Sequence, residues 1–191
     1  MNELYEGNTL SGSERKNKME IRKGTLQDID EVAALYDALN DYLESHTNYP
    51  GWKKDIYPIR EDAEQGIREE NLWVAIEDGR IAGTVILNHQ PEEAYQTVDW
   101  HNSFLYQDIF VVHTLAIHPQ FMKRGIGRAL LEFAEAYARQ QNIKEIRLDV
   151  YEKNVPAIRL YESMGFRYVD TVDLGYGMHG LNAFRLYQRQ L

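Results

Sequence analysis

The sequence predicts an α/β domain, a mixed, twisted sheet flanked by helices. Three observations carry that prediction. Strand-like runs and segments of helical periodicity follow one another in the order βααβββαβαββ. One run, IFVVHTLAIH at 109–118, is apolar almost without a break, as expected of a central strand covered on both faces. The chain then passes from that strand through a proline, a basic loop and two glycines into a helix, LAIHPQFMKRGIGR at 115–128.

Taken in order, MEIRK (19–23) reads as a short strand. Thr25 and Asp28 form a capping pair, and Ile29, Val32, Tyr36, Leu39 and Leu43 follow at helical spacing, giving a helix over about 27–45. A loop with two prolines and several aromatics precedes a more polar helix at 59–70. LWVAIE and IAGTVILNH, joined by Asp78-Gly79, read as an antiparallel hairpin. Residues 90–108 are irregular, and the central strand follows. In the helix at 126–141, Ile126, Ala129, Leu130, Phe133, Tyr137 and Ala138 share one face. EIRLDVYE alternates as a strand. Asn154 caps a short helix with Pro156 in its first turn and Gly165 past its end. FRYVDTV and AFRLYQRQ are a last strand pair around a glycine-rich loop. Residues 1–18 are polar and aperiodic and read as a disordered extension, leaving 19–191 as a single domain.

Composition narrows the function. The 191 residues suffice for one domain with a sizeable core. A net charge of −9 disfavours a nucleic-acid partner and favours a small cationic one. The absence of cysteine excludes disulfides, thiolate metal sites and a thiol nucleophile, and fits a cytoplasmic location. No stretch has the roughly 20 apolar residues of a membrane span, and the N-terminus lacks the apolar core of a secretory signal. No set of His, Asp and Glu has metal-ligand spacing, so no metal is expected; His113 and His118 point to opposite faces of their strand.

The segment 122–128 is an anion cradle. Backbone N–H groups at a helix start lack intrahelical partners, and the helix dipole adds positive charge there. Gly125 and Gly127 admit a close approach; Lys123, Arg124 and Arg128 add formal charge. A phosphorylated ligand is therefore expected. A P-loop is excluded, since G-x-x-x-x-G-K-[ST] does not occur. A dinucleotide fingerprint starting at Gly125 fails at Leu130. The literal G-x-G-x-x-G at Gly175, Gly177 and Gly180 lies between two strands with no helix after it.

Two stretches, LAIHPQFMKRGIGRALL and LDVYEKNVPAIRLYESMGF, resemble the GNAT superfamily of N-acetyltransferases. The likeness covers about 19–191. It implies a single GNAT-like acyl-CoA N-acyltransferase domain that uses acetyl-CoA as acetyl donor. The cofactor-binding positions would be Leu115, Ala116, Ile117, Met122, Lys123, Arg124, Gly125, Ile126, Gly127, Arg128, Asn154 and Tyr161. The family loop usually begins with Gln or Arg, where this chain has Met122. The resemblance further implies a β-bulge near Leu115–Ile117 that splays the central strand from its neighbour, freeing backbone groups for the pantetheine arm. It makes Tyr161 the acid that protonates the departing thiolate. At His113 the chain is similar to the arylalkylamine branch, which carries a His base there; Asp108, Glu152 and a water chain compete for that role. His118 reads as a residue shaping the turn. The loops bearing Tyr49, Trp52, Tyr57, Trp100, Phe104, Tyr176 and His179 would wall the acceptor pocket, with Tyr49, Trp52, Trp100 and Tyr176 as binding candidates. Family habit also implies that the tail strand 183–189 can pair across a homodimer. The expected reaction is direct transfer of acetyl to a primary amine of a small acceptor. The alternatives are a non-catalytic acyl-CoA sensor on the same fold and a dinucleotide oxidoreductase.

Overall fold

The computed structural model describes residues 19–191; the extension expected over 1–18 lies outside the described residues. The elements follow the expected order: β1 (Glu20–Lys23), α1 (Ile29–Ser45), α2 (Arg60–Arg68), β2 (Leu72–Glu77), β3 (Arg80–Asn88), β4 (Ile109–Ile117), α3 (Ile126–Gln140), β5 (Glu145–Tyr151), α4 (Val155–Ser163), β6 (Arg167–Val172) and β7 (Phe184–Gln190). They build one seven-stranded sheet in the order β1-β2-β3-β4-β5-β7-β6. Among the described residues only the β4–β5 pair is parallel, and its crossover carries α3.

Helices cover both faces of the sheet. On β3, Val85 and Leu87 join the cluster beneath α3 and α4, while Ile86 joins the cluster beneath α1 and α2. β4, the apolar run of 109–118, is buried on both sides in the same way, with Phe110 and Val112 in the first cluster and Ala116 in the second. The buried stripe of α3 is Ile126, Leu130, Leu131, Ala134 and Ala138. It lies to one side of the stripe expected from periodicity. Phe133 and Tyr137 flank it and pack on Trp73, with ring centroids 4.6 and 4.7 Å away.

The aromatics of 90–108 serve the fold rather than a pocket. Trp100 is buried with Tyr95, Val111 and Leu186, and its Nε1–H donates to the Tyr95 carbonyl at 2.8 Å. The Arg147 guanidinium lies 4.1 Å from the Trp100 ring and pairs with the fully buried Glu145. Asn102 bonds both members of that ion pair. A buried pair survives desolvation only when its remaining polar atoms are satisfied, and this loop satisfies them. Phe104 stands outside, under the Lys144 ammonium. The tail strand, β7, hydrogen-bonds within the chain to β5 on one side and β6 on the other.

β1 is tied to α1 through Asp28. Its carboxylate accepts two hydrogen bonds from Arg22, at 2.7 and 2.8 Å, and one each from the Thr25 amide and hydroxyl. These donors hold its pKa at about 2, below the usual carboxylate range. The stabilisation is therefore complete above an unfolded-state pKa of about 3.9 and fades as pH falls through about 2. Asp28→Asn should cost about 1–2 kcal/mol at pH 7, allowing for the partial exposure of Arg22. Urea unfolding at pH 7 and pH 2.5 checks this; the gap between variant and wild type should narrow at the lower pH.

Candidate active site

β4 and β5 pair only as far as Val112 and Leu148, then separate. The cause lies in β4. Thr84 of β3 faces Ala116, but Ile86 faces His113, so β4 carries one extra residue against β3. Thr114 takes up the bulge with a φ of 45°. The Tyr57 hydroxyl lies 2.5 Å from the Thr114 hydroxyl and braces the bulge from the α1–α2 loop. Beyond the split, the β5-facing edge of β4 has no strand partner, and a cavity of about 1240 Å3 opens between the strands.

The cradle stands at one end of that cavity. Gly125 caps α3 with φ 83°, in the left-handed region, and a Cβ there would meet nothing within 4 Å. Gly127 is a packing position as well: a Cβ would come 3.2 Å from Leu160 of α4. Among the described residues, the backbone N–H groups of residues 123–128 have no protein acceptor. Six such amides beside an open face suit a diphosphate, so the residues present fit the cofactor implied by the sequence. Lys123 is exposed and has no ion pair among the described residues, and Arg128 lines the rim while bonding Ser163 at 2.8 Å. Met122 packs against the cluster beneath α1 and α2. At the position where the family has Gln or Arg, this chain thus anchors the loop through apolar contact.

The side chains of Arg124 and Ala116 do not line the cavity; the expectation for Ala116 concerned its main-chain groups. The Arg124 guanidinium sits against Glu77 and Asp78, at 3.5 and 3.6 Å, and over the Phe121 ring. Ala116 is fully buried in the cluster beneath α1 and α2 and does not line the cavity, whereas Leu115 and Ile117 do. Ile126 and Asn154 also line it. The Asn154 side chain accepts from the Ala157 amide at 3.4 Å, capping α4.

At the split, three side chains from three elements line the same space: His113 of β4, Tyr161 of α4 and Asp149 of β5. His113 Nε2 is 3.0 Å from the Gln90 carbonyl, an acceptor, so that nitrogen carries the proton and Nδ1 the lone pair. The Tyr161 ring is buried, and its hydroxyl has no partner among the described residues. Burial and the charge of Asp149 push its pKa up, so the proton stays on Oη through the physiological range. Asp149 was not among the sequence candidates. It is the first β5 residue past the last β4 partner, and its Oδ2 accepts from the Tyr95 hydroxyl at 2.8 Å. Burial raises its pKa, and the hydrogen bond from the Tyr95 hydroxyl, followed by the charge His113 carries when protonated, opposes that rise. The alternation in EIRLDVYE marked it only as an outward polar residue; what singles it out is the end of the β4 pairing.

The competing bases are elsewhere. Asp108 pairs with Lys144 at the opposite end of β4, and Glu152 does not line the cavity. His118 accepts from the Gln120 amide at 3.2 Å and shapes the turn. Of the aromatic candidates, Tyr49, Trp52, Tyr57, Tyr176 and His179 line the cavity; Trp100 and Phe104 do not. Among the described residues no group of three His, Asp or Glu is placed to hold a metal, and no helix is long and apolar enough to cross a membrane.

The sequence profile of the acetyltransferase (GNAT) family matches residues 32–166. Among curated proteins, the chain is 24% identical over 170 residues to the UPF0157 protein YqkA of Bacillus subtilis strain 168, covering 89% of this chain and 37% of that protein. It is 30% identical over 117 residues to the peptidyl-lysine N-acetyltransferase YiaC of Escherichia coli K12, covering 61% of this chain and 62% of that one. The chain thus spans less than two thirds of the length of either relative. Among solved structures, a GNAT-family acetyltransferase from Streptococcus agalactiae 2603 superposes with a TM-score of 0.75 at 26% identity, over 91% of this chain and 95% of that one. The chain belongs to the GNAT family of acetyltransferases.

Proposed function

We propose that this protein transfers the acetyl group of acetyl-CoA to a primary amine of a small acceptor, with both substrates held together in the cleft between β4 and β5. The observation that carries this reading is the junction of the unpaired amides of 123–128 with a cavity that also holds His113, Asp149 and Tyr161. Bound acetyl-CoA supplies an activated thioester. The amides of the loop and of the first turn of α3 would hold the diphosphate, with Lys123 and Arg128 at the rim. The open edge of β4 at Leu115–Ile117 offers main-chain groups to an extended pantetheine arm, and one N–H there can polarise a carbonyl.

The proton steps fall to three residues. His113, through Nδ1, and the adjoining Asp149 form the group that takes the proton of the acceptor ammonium. Tyr161 holds its proton at Oη for the departing sulfur. The chain has no cysteine to carry an acyl thioester, so both reactants are brought together and orientation supplies much of the acceleration. Aromatic loops and a net charge of −9 support a small cationic acceptor. The Escherichia coli relative is named for a lysine side chain, likewise a primary alkyl amine.

Thiol release from acetyl-CoA against a panel of primary amines tests the reading; a protein that binds CoA yet releases thiol with none is a sensor. Gly125→Glu should weaken CoA binding at least about a hundredfold in calorimetry, since the new carboxylate points into the diphosphate site; normal binding would remove the cradle. Tyr161→Phe should lower kcat by about a hundredfold with the acetyl-CoA Kd within about twofold; unchanged turnover clears it of the acid role. His113→Ala should lose most activity at low pH, where an unassisted acceptor is protonated. A pH profile superimposable on the wild type would clear His113.

A further inference from the structure

Several carboxylates that the fold removes from water stand against a cation: Asp28 against Arg22, Glu77 against Arg124, Asp108 against Lys144, Glu135 against Arg189 and Glu145 against Arg147. Asp62, Glu92 and Asp149 are half-buried and have no such partner among the described residues, and all three line the cavity. Asp62 and Asp149 are held in the same way. One oxygen of each is anchored: Asp62 Oδ2 accepts from the Ile59 amide at 2.7 Å, and Asp149 Oδ2 from the Tyr95 hydroxyl at 2.8 Å. The other oxygen takes no hydrogen bond from another described residue. A carboxylate drawn from water and left half-satisfied is costly unless a ligand completes it.

The two acids share a wall. The Tyr57 hydroxyl feels the charge of both, and burial together with those charges pushes its pKa up. Trp52 stands edge-on to Tyr57 with centroids 5.5 Å apart, so aromatic rings run along the same side, a surface that also attracts cations. The chamber is roofed. At Gly51 a Cβ would come 2.3 Å from Leu181, so the loop after α1 closes on the loop between β6 and β7.

We propose that the acceptor is a linear alkyl diamine, one ammonium meeting Asp149 beside Glu92 and His113, the other meeting Asp62 along the wall of Trp52 and Tyr57. The proposal rests on the amine-transfer reading above and adds the second charge. A zwitterionic amino acid would bring its own carboxylate against these acids. A monoamine would leave Asp62 without a counter-charge.

The test compares amines matched in carbon number: putrescine with butylamine and cadaverine with pentylamine. In the wild type, kcat/KM should favour the diamine by tenfold or more in at least one pair, and added NaCl should shrink the ratio. Asp62→Asn keeps an oxygen for the Ile59 amide; it should bring that ratio close to one, mainly by raising the diamine KM. Calorimetry with CoA on the same variant reports whether the cleft is intact. Ratios near one in both wild-type pairs overturn the proposal, and that measurement needs no variant. An Asp62→Asn enzyme that loses monoamine and diamine turnover equally also overturns it. A wild type that acetylates monoamines and no diamine sinks this proposal alone, whereas one that acetylates no amine at all sinks the transfer reading with it.

Discussion

The parting of β4 from β5 is the constraint on which the site depends. Two parallel strands that stayed paired to their ends would satisfy each other's main-chain groups and leave no cleft. The extra residue at Thr114 prevents this, and Tyr57 fixes the bulge from outside the sheet. The opening has three consequences. The β5-facing edge of β4 is free for an extended ligand, Asp149 lines a cavity, and the N-terminus of α3 stands at one end of the same space. Each comes from backbone geometry, which side chains then exploit.

Most of the fold was legible because its signals are local. Helical spacing in α1, the Asp78-Gly79 turn and the apolar run of β4 each depend on a few adjacent residues. The cradle was legible for the same reason: the free amides come from a helix start, and Gly125 is a left-handed cap. The stripe on α3 shifted because Trp73, distant in sequence, packs on Phe133 and Tyr137 from the side. Periodicity alone cannot register a neighbour of that kind.

The candidate site was legible only in part, and its errors share a cause. Arg124 carries the right charge at the right place in sequence, but Glu77 and Asp78 of the β2–β3 hairpin claim it. Trp100 has the composition of a pocket wall, but Arg147 and Glu145 recruit its loop to cover a buried ion pair. Asp149 sat unremarked in an alternating strand. Its importance depends on where β4 stops pairing, and that depends on a register against β3. Partners distant in the chain decide all three, and motif spacing does not encode them.

The position of β7 bears on the support of the cleft. β5 forms one wall of the cleft, and past Leu148 its only strand neighbour is β7, the last strand in the chain. The stretch Asp149–Tyr151 therefore pairs with residues 184–186, about thirty-five positions further along the sequence. β7 lies between β5 and β6 and hydrogen-bonds to both, so the wall bearing Asp149 is braced by the far edge of the sheet. One wall of the cleft is therefore held by a contact between distant parts of the sequence, and substitutions that weaken the β5–β7 pairing would be felt at Asp149 without touching it.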